Sequence, residues 1–191
     1  MKLTARPSRL RGSAMMPGSK SHTIRAVAIA ALAEGVSHIR RPLVSADTEA
    51  AVRVYRSLGA AIETGEVWTV QGVGRQLQTP DNVVDVGNSG TTLYIALASA
   101  CLGTGYTVFT GDEQIRRRSA GPLLQALQTL GATAFSTRDN GCAPLVVRGP
   151  LQGGQVCIEC PTSQYLTSLL LNCPLALSDT EIEVPLLNEQ P

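Results

Sequence analysis

The chain has 191 residues, 43% of them hydrophobic and 16% charged, with a net charge of +1. That length suits one ordinary domain or part of a larger one, and the apolar share is too high for a disordered chain. Near-balanced charge argues against bulk electrostatic binding to nucleic acid, and the longest apolar run, Ala26 to Ala33, is far short of the roughly 20 residues that cross a bilayer. No apolar segment of signal-peptide type follows Lys2. The expectation is a mixed α/β protein of the cytoplasm with no nucleic-acid or membrane partner.

Charge is unevenly spread. Residues 1–33 carry six basic side chains and no acid, whereas the remainder carries ten basic and fifteen acidic ones. A transit peptide would be basic and acid-free, but a structured motif already begins at Pro17. Five cysteines do not make a disulfide framework in a chain of this size. Cys157 and Cys160 form a C-x-x-C inside Gln155 to Cys160, which reads as a strand. Residues three apart on a strand point to opposite faces, so buried or half-buried thiols are expected there, and no metal site.

Taken in chain order, the elements repeat. Gly18-Ser-Lys-Ser-His-Thr-Ile-Arg25 opens a helix through Ala26 to Ala33, followed by strand-like Val36 to Ile39. Asp47 to Ala60 reads as an amphipathic helix stopped at Ser57-Leu-Gly-Ala60, and a strand pair near Val67 to Val70 closes at Gly72. The layout then recurs. Gly87-Asn-Ser-Gly-Thr-Thr-Leu93 opens a helix through Ala100, with strand-like Tyr106 to Phe109. Pro122 to Ala132 is a helix stopped at Thr129-Leu-Gly-Ala132, and strands near Pro144 to Val147 close at Gly149. A third start, Thr162 to Leu171, precedes strand-like Glu181 to Val184. The first two starts lie 69 residues apart, which marks a repeated supersecondary unit. The third copy has no second helix before Pro191, so the chain is expected to stop inside a unit.

The three starts share an unusual chemistry. Helix first turns favour acids, because the macrodipole places partial positive charge there. None of the three clusters contains one, and the first carries Lys20 and Arg25. A cation at an empty helix N-terminus costs about 0.3–1 kcal/mol. The helix from Asp47, with Glu49 in its first turn, is an ordinary start by comparison. The plain reading makes Ser19, Asn88 and Ser163 simple N-caps. Three such starts in register favour a bound anion instead. The helices behind them are apolar nearly all round, so they are expected to lie inside, covered by sheets, with N-termini converging at one end. Gly12 to Lys20 has the wrong spacing for a P-loop, and Gly72-Val-Gly74 lacks the rest of a dinucleotide fingerprint. The two histidines make no metal cluster, and no Ser-His-Asp set can be assembled.

At Pro17-Gly-Ser-Lys-Ser21, Gly87-Asn-Ser-Gly-Thr91 and Ser163-Gln-Tyr-Leu166 the chain resembles the 5-enolpyruvylshikimate-3-phosphate (EPSP) synthase family, in motif order and spacing over essentially its whole length. The resemblance implies an inside-out α/β enolpyruvyl transferase fold of repeated βαβαββ units, here incomplete. Residues 1–14, with a strand near Lys2 to Leu10, would join the second domain, and residues 15–191 would form the first domain, truncated in its third unit. It implies transfer of the enolpyruvyl group of phosphoenolpyruvate to the 5-hydroxyl of shikimate 3-phosphate, toward chorismate and the aromatic amino acids, with no metal or organic cofactor.

Residue by residue, the resemblance makes Lys20 the catalytic cation between both substrates. It puts Ser21, Arg25, Thr162, Ser163 and Gln164 on shikimate 3-phosphate, and Asn88, Gly90, Thr91, Arg118 and Gln164 on phosphoenolpyruvate. Of Arg116 to Arg118, two are expected to be solvated. The chain departs from the family's usual residues at Ser89 (commonly Ala), Tyr94-Ile95 (commonly Arg-Pro) and Ser119 (commonly Pro), positions bearing on the phosphoenolpyruvate pocket and the response to glyphosate. Leu187 to Pro191 matches a stretch in which the family usually offers Ser or Glu before Lys-Pro-Tyr, and the sequence ends just before that tyrosine. The acid–base carboxylates lie in the family's other half, so this chain alone is expected to be inactive and that half to be its partner. The alternatives are enolpyruvyl transfer to a UDP-sugar, disfavoured by Lys20-Ser21 and the Gly87 to Thr91 motif, and a non-catalytic anion-binding or assembly module.

Overall fold

The computed structural model describes residues 2–9 and 11–188. Two repeats of one unit follow each other. The first holds α1 (Lys20–Leu32), β1 (Glu34–Arg40), α2 (Ala46–Ser57), β2 (Ala61–Glu63) and β3 (Val67–Val73). The second holds β4 (Val84–Asp85), α3 (Gly90–Ala100), β5 (Thr107–Thr110), α4 (Gly121–Thr129), β6 (Thr133–Ser136) and β7 (Leu145–Arg148). A third begins with β8 (Gly154–Cys157), α5 (Ser163–Asn172) and β9 (Thr180–Glu183). The helix–strand–helix–strands layout is therefore as expected, with boundaries shifted by a few residues.

Each unit builds its own sheet: β1-β3-β2, then β4-β5-β7-β6, then β8-β9. β4 lies parallel to β5, and β8 parallel to β9, while β7 runs antiparallel to β5. α1, α2 and α5 pack around α3, with β5 and β7 of the second sheet against it. Leu93, Ile95 and Leu97 on that helix are fully buried, as its all-round apolar sequence requires. The same expectation fails on the flanking helices, where Ile29 of α1 and Leu170 of α5 are half exposed.

The predicted helix stops are present, with Gly59 at φ 108 and Gly131 at φ 91. The closing glycines do a second job. A Cβ on Gly72 would sit 2.1 Å from the Ala33 carbonyl oxygen, and one on Gly149 would sit 1.9 Å from that of Cys101. In both units, the last strand thus lies hard against the end of the first helix.

Residues 2–9, expected to contribute to a strand, form none, and Leu10 lies outside the described residues. An isolated strand has no ladder to satisfy its backbone, and no sheet edge of this chain takes it up. The strand expected over Gln155 to Cys160 ends at Cys157, and Cys160 keeps one bridge to Leu187. Cys157 is exposed and Cys160 buried, as opposite faces demand, and no cysteine is paired. No group of metal-ligating residues occurs among the described residues. Of the Leu187 to Pro191 match, residues 189–191 lie outside the described residues. No described helix is long and apolar enough to cross a membrane.

α3 and α5 are locked by polar side chains in an otherwise apolar interface. The Ser99 hydroxyl donates to Asn172 Oδ1 at 2.8 Å and so accepts from the Tyr55 hydroxyl of α2 at 2.9 Å. Asn172 Nδ2 donates to the Ser168 carbonyl at 2.7 Å, and the Ser168 hydroxyl to the Tyr94 carbonyl at 2.6 Å. Ser99, Ser168 and Asn172 are fully buried, so these bonds have no water to replace them. Asn172→Ala should therefore destabilise the chain by about 2–3 kcal/mol in urea unfolding. A loss below about 0.5 kcal/mol would show that these bonds do not set the helix packing.

Candidate active site

The helix starts meet at one end of the molecule. In the first turn of α1, Lys20 Nζ lies 2.7 Å from Asp47 Oδ2 in the first turn of α2. Thr92, in the first turn of α3, reaches the Asp47 carbonyl at 3.5 Å. One turn further into α1, Arg25 donates from Nη2 to Thr167 Oγ1 of α5 at 3.1 Å and from Nη1 to the Ser21 carbonyl at 3.3 Å. Between α3 and α5, a Cβ on Gly90 would lie 3.0 Å from Arg118 Nη1 and 3.9 Å from Gln164 Oε1. Lys20, Arg25, Gly90, Arg118 and Gln164 therefore belong to one linked set.

The remaining candidates sit at the same starts. Ser21 and Asn88 are exposed, and the Asn88 carbonyl accepts from the Gly90 N–H at 3.1 Å. Thr91 and Thr162 are half-buried, and Ser163 is buried. The capping pattern differs from the plain reading at two starts. Ser19 does cap α1, accepting from the His22 N–H at 3.3 Å. The cap residue of α5 is Thr162 rather than Ser163, and its hydroxyl accepts from the Gln164 N–H at 3.4 Å. At α3 the cap residue is Ser89 rather than Asn88, and its hydroxyl is turned to Thr92 Oγ1 at 2.7 Å. The Ser89 side chain makes no cap hydrogen bond to the first-turn N–H groups of α3. An N-terminus left uncapped beside an arginine suits an incoming anion.

All three arginines of the run are exposed, not two of them, and they differ only in their partners. Arg116 donates to the Gly111 carbonyl at 2.6 Å, and Arg117 pairs with Glu113. The Arg118 guanidinium, beside Gly90, makes no hydrogen bond or ion pair among the described residues. Burial lowers the pKa of Arg25 from its ordinary value. Burial also raises the phenols of Tyr94 and Tyr165, which pack edge to face at 4.9 Å behind Gly90 and Gln164.

Reasoning from sequence missed Asp47 as a partner. Its place in a first turn reads as an ordinary helix-start acid, and nothing in the spacing says that a second helix brings Lys20 to it. The pair offsets part of the unfavourable placement of Lys20 on the α1 dipole. With side chains 52% and 23% exposed, it contributes no more than about 1 kcal/mol. Two surface clefts lie away from this set. One is lined by Leu170, Cys173 and Leu177, the other by Leu32, Ala33 and Gly72. They sit at the C-terminal ends of α5 and α1, where the dipole disfavours an anion.

A sequence model of EPSP synthase (3-phosphoshikimate 1-carboxyvinyltransferase) matches residues 4–190. The chain belongs to the EPSP synthase family. It is 54% identical over 192 aligned positions to the 3-phosphoshikimate 1-carboxyvinyltransferase of Acetivibrio thermocellus, covering 100% of this chain and 45% of that protein. The corresponding protein of Ruminiclostridium cellulolyticum is 50% identical, again over 100% of this chain and 46% of its own length. Among solved structures, the EPSP synthase of Acinetobacter baumannii superposes with a TM-score of 0.84 at 27% identity, over 93% of this chain and 41% of that one. The fold is thus an incomplete α/β enolpyruvyl transferase fold. The chain spans less than half the length of these relatives.

Within this EPSP synthase family chain, the space beside Gly90 is tight. A methyl there meets Arg118 Nη1 at 3.0 Å and must push the guanidinium aside. Gly90→Ala should weaken inorganic phosphate binding about tenfold, the loss of one charge-assisted hydrogen bond, in a calorimetric titration. Unchanged affinity would remove Arg118 and the α3 start from the anion site.

Proposed function

We propose that this chain supplies the shikimate 3-phosphate side of an EPSP synthase active site. The reaction is transfer of the enolpyruvyl group of phosphoenolpyruvate to the 5-hydroxyl of shikimate 3-phosphate, with release of phosphate. The observation that carries this reading is the gathering of Lys20, Arg25, Gly90, Arg118 and Gln164 at linked helix starts, in a chain 54% identical to a 3-phosphoshikimate 1-carboxyvinyltransferase.

In this reading Ser21, Arg25, Thr162, Ser163 and Gln164 hold shikimate 3-phosphate, whose dianionic phosphate suits hydroxyls, a guanidinium fork and the α5 N-terminus. Asn88, Gly90, Thr91, Arg118 and Gln164 receive phosphoenolpyruvate at the α3 start. Lys20 stands between the two and stabilises charge on both. Addition of the hydroxyl to C2 of phosphoenolpyruvate, an enol phosphate, requires a proton delivered to the methylene and one removed from the hydroxyl. Loss of phosphate then requires a proton taken back from the new methyl group. One lysine cannot do all of this, so the reaction needs carboxylates from the remainder of an EPSP synthase.

That remainder is the partner we propose. In the second unit, β5 is flanked by β4 on one edge and β7 on the other; in the third, β9 pairs with β8 alone among the described residues. Leu170 and Leu177, 50% and 62% exposed, lie near that open edge. A helix and two strands from the partner would complete the unit as α4, β6 and β7 complete the second. Residues 1–14 would add to the partner's sheet. We place the reaction in the cytoplasm, a reducing compartment suited to five unpaired thiols.

Calorimetric titration with shikimate 3-phosphate tests the reading. Saturable binding, unmatched by inorganic phosphate and reduced at least tenfold in Lys20→Ala, is the expected result. Equal binding of phosphate and shikimate 3-phosphate, or indifference to Lys20, would contradict it.

A further inference from the structure

The structure holds one feature that the assigned residues do not account for. The Ser119 carbonyl accepts two phenol hydroxyls at once, from Tyr165 at 2.6 Å and from Tyr94 at 3.3 Å. Ser119 directly follows Arg118. Tyr94 lies four residues into α3 from Gly90, and Tyr165 follows Gln164 on α5, so the two donors ride on the helices that flank the Arg118 guanidinium. Both rings are nearly fully buried, 5% and 4% exposed, and stand edge to face. A carbonyl oxygen has two lone pairs, and here both are taken.

The rest of the loop is also held. The Arg118 N–H donates to the Ile115 carbonyl at 3.1 Å, and the Ile115 N–H to Asp112 Oδ1 at 3.0 Å. The Ala120 N–H donates to the Gly141 carbonyl at 2.7 Å. Arg118 is therefore fixed in its backbone on both sides, while its guanidinium stays unpaired among the described residues. Such an arrangement fixes the point from which the Arg118 side chain leaves the backbone before a ligand arrives, which removes part of the ordering cost of binding.

We infer that Tyr94 and Tyr165 are positioning residues, whose paired hydroxyls on the Ser119 carbonyl hold Arg118 in place beside Gly90 and Gln164. Burial keeps both phenols protonated, as two donors must be. The inference rests on the proposed contact of Arg118 with phosphoenolpyruvate for its effect on binding, but its structural content can be read without any ligand.

The test uses Tyr94→Phe, Tyr165→Phe and the double variant, each of which keeps the ring packing and removes only the hydroxyl. In the ligand-free chain, the Arg118 Nε–H signal in heteronuclear NMR should report an ordered side chain. Order should fall in Tyr165→Phe and further in the double variant, with Arg25 unchanged. Phosphoenolpyruvate affinity should fall about tenfold in the double variant while shikimate 3-phosphate affinity is kept. In an Arg118→Ala background the same tyrosine changes should have no effect on phosphoenolpyruvate, which separates positioning from general loosening of the core. An Arg118 signal equally ordered in the parent and double variant overturns the inference, as does an affinity loss that persists without Arg118. If the parent chain binds no phosphoenolpyruvate, the functional reading of Arg118 fails, and the ligand-free order measurement alone decides the positioning claim.

Discussion

The register between α3 and α5 is the constraint on which the rest depends. Both helices are largely apolar, and apolar surfaces alone slide past one another at little cost. Ser99, Ser168 and Asn172 prevent that, because each buried polar group finds its partners at one offset only. A slip would orphan several of them at about 1–3 kcal/mol each. The same offset that sets Tyr94 beside Ser168, and Ser99 beside Asn172, brings Gly90 level with Gln164. Polar bonds deep in the core thus determine the geometry at the helix starts.

That geometry carries an electrostatic cost. Several positive helix ends converge, with Lys20, Arg25 and Arg118 among them. Without a ligand, the cost is met piecemeal. Asp47 pairs with Lys20, Thr167 and the Ser21 carbonyl receive Arg25, and Arg118 is anchored only through its backbone. An anion arriving at this end would satisfy what the protein leaves open, which is the general condition for a preorganised binding site. The proposed division of labour follows directly: this chain supplies positive charge and uncapped N–H groups, and the other half supplies proton-transfer carboxylates and the closure that excludes water.

Much of this was legible in the sequence because it is periodic or local. The repeat shows in the matching Ser57-Leu-Gly-Ala60 and Thr129-Leu-Gly-Ala132 stops, and the acid-free starts of α1, α3 and α5 show in the three polar clusters. What depends on contacts between distant elements was not legible. Asp47 reads as an ordinary first-turn acid until α2 is packed beside α1. Tyr94 reads only as a departure near the phosphoenolpyruvate pocket, and Tyr165 only as part of a helix-start motif, until both hydroxyls meet the Ser119 carbonyl. The cap positions were misplaced by one residue at α3 and α5, since neighbouring hydroxyl and amide residues are nearly equivalent as caps and only the chain path chooses between them. A strand is likewise a property of a pair, and residues 2–9, expected to pair with the other domain, have no strand partner among the described residues.

A crystal structure of the chain grown with phosphate tests the central claim most directly. The account predicts a phosphate ion among the helix starts, within hydrogen-bonding distance of Lys20 or Arg118 and of first-turn N–H groups of α3 or α5. An empty set of helix starts at saturating phosphate, with ions bound instead at the clefts by the C-terminal ends of α1 and α5, would contradict it.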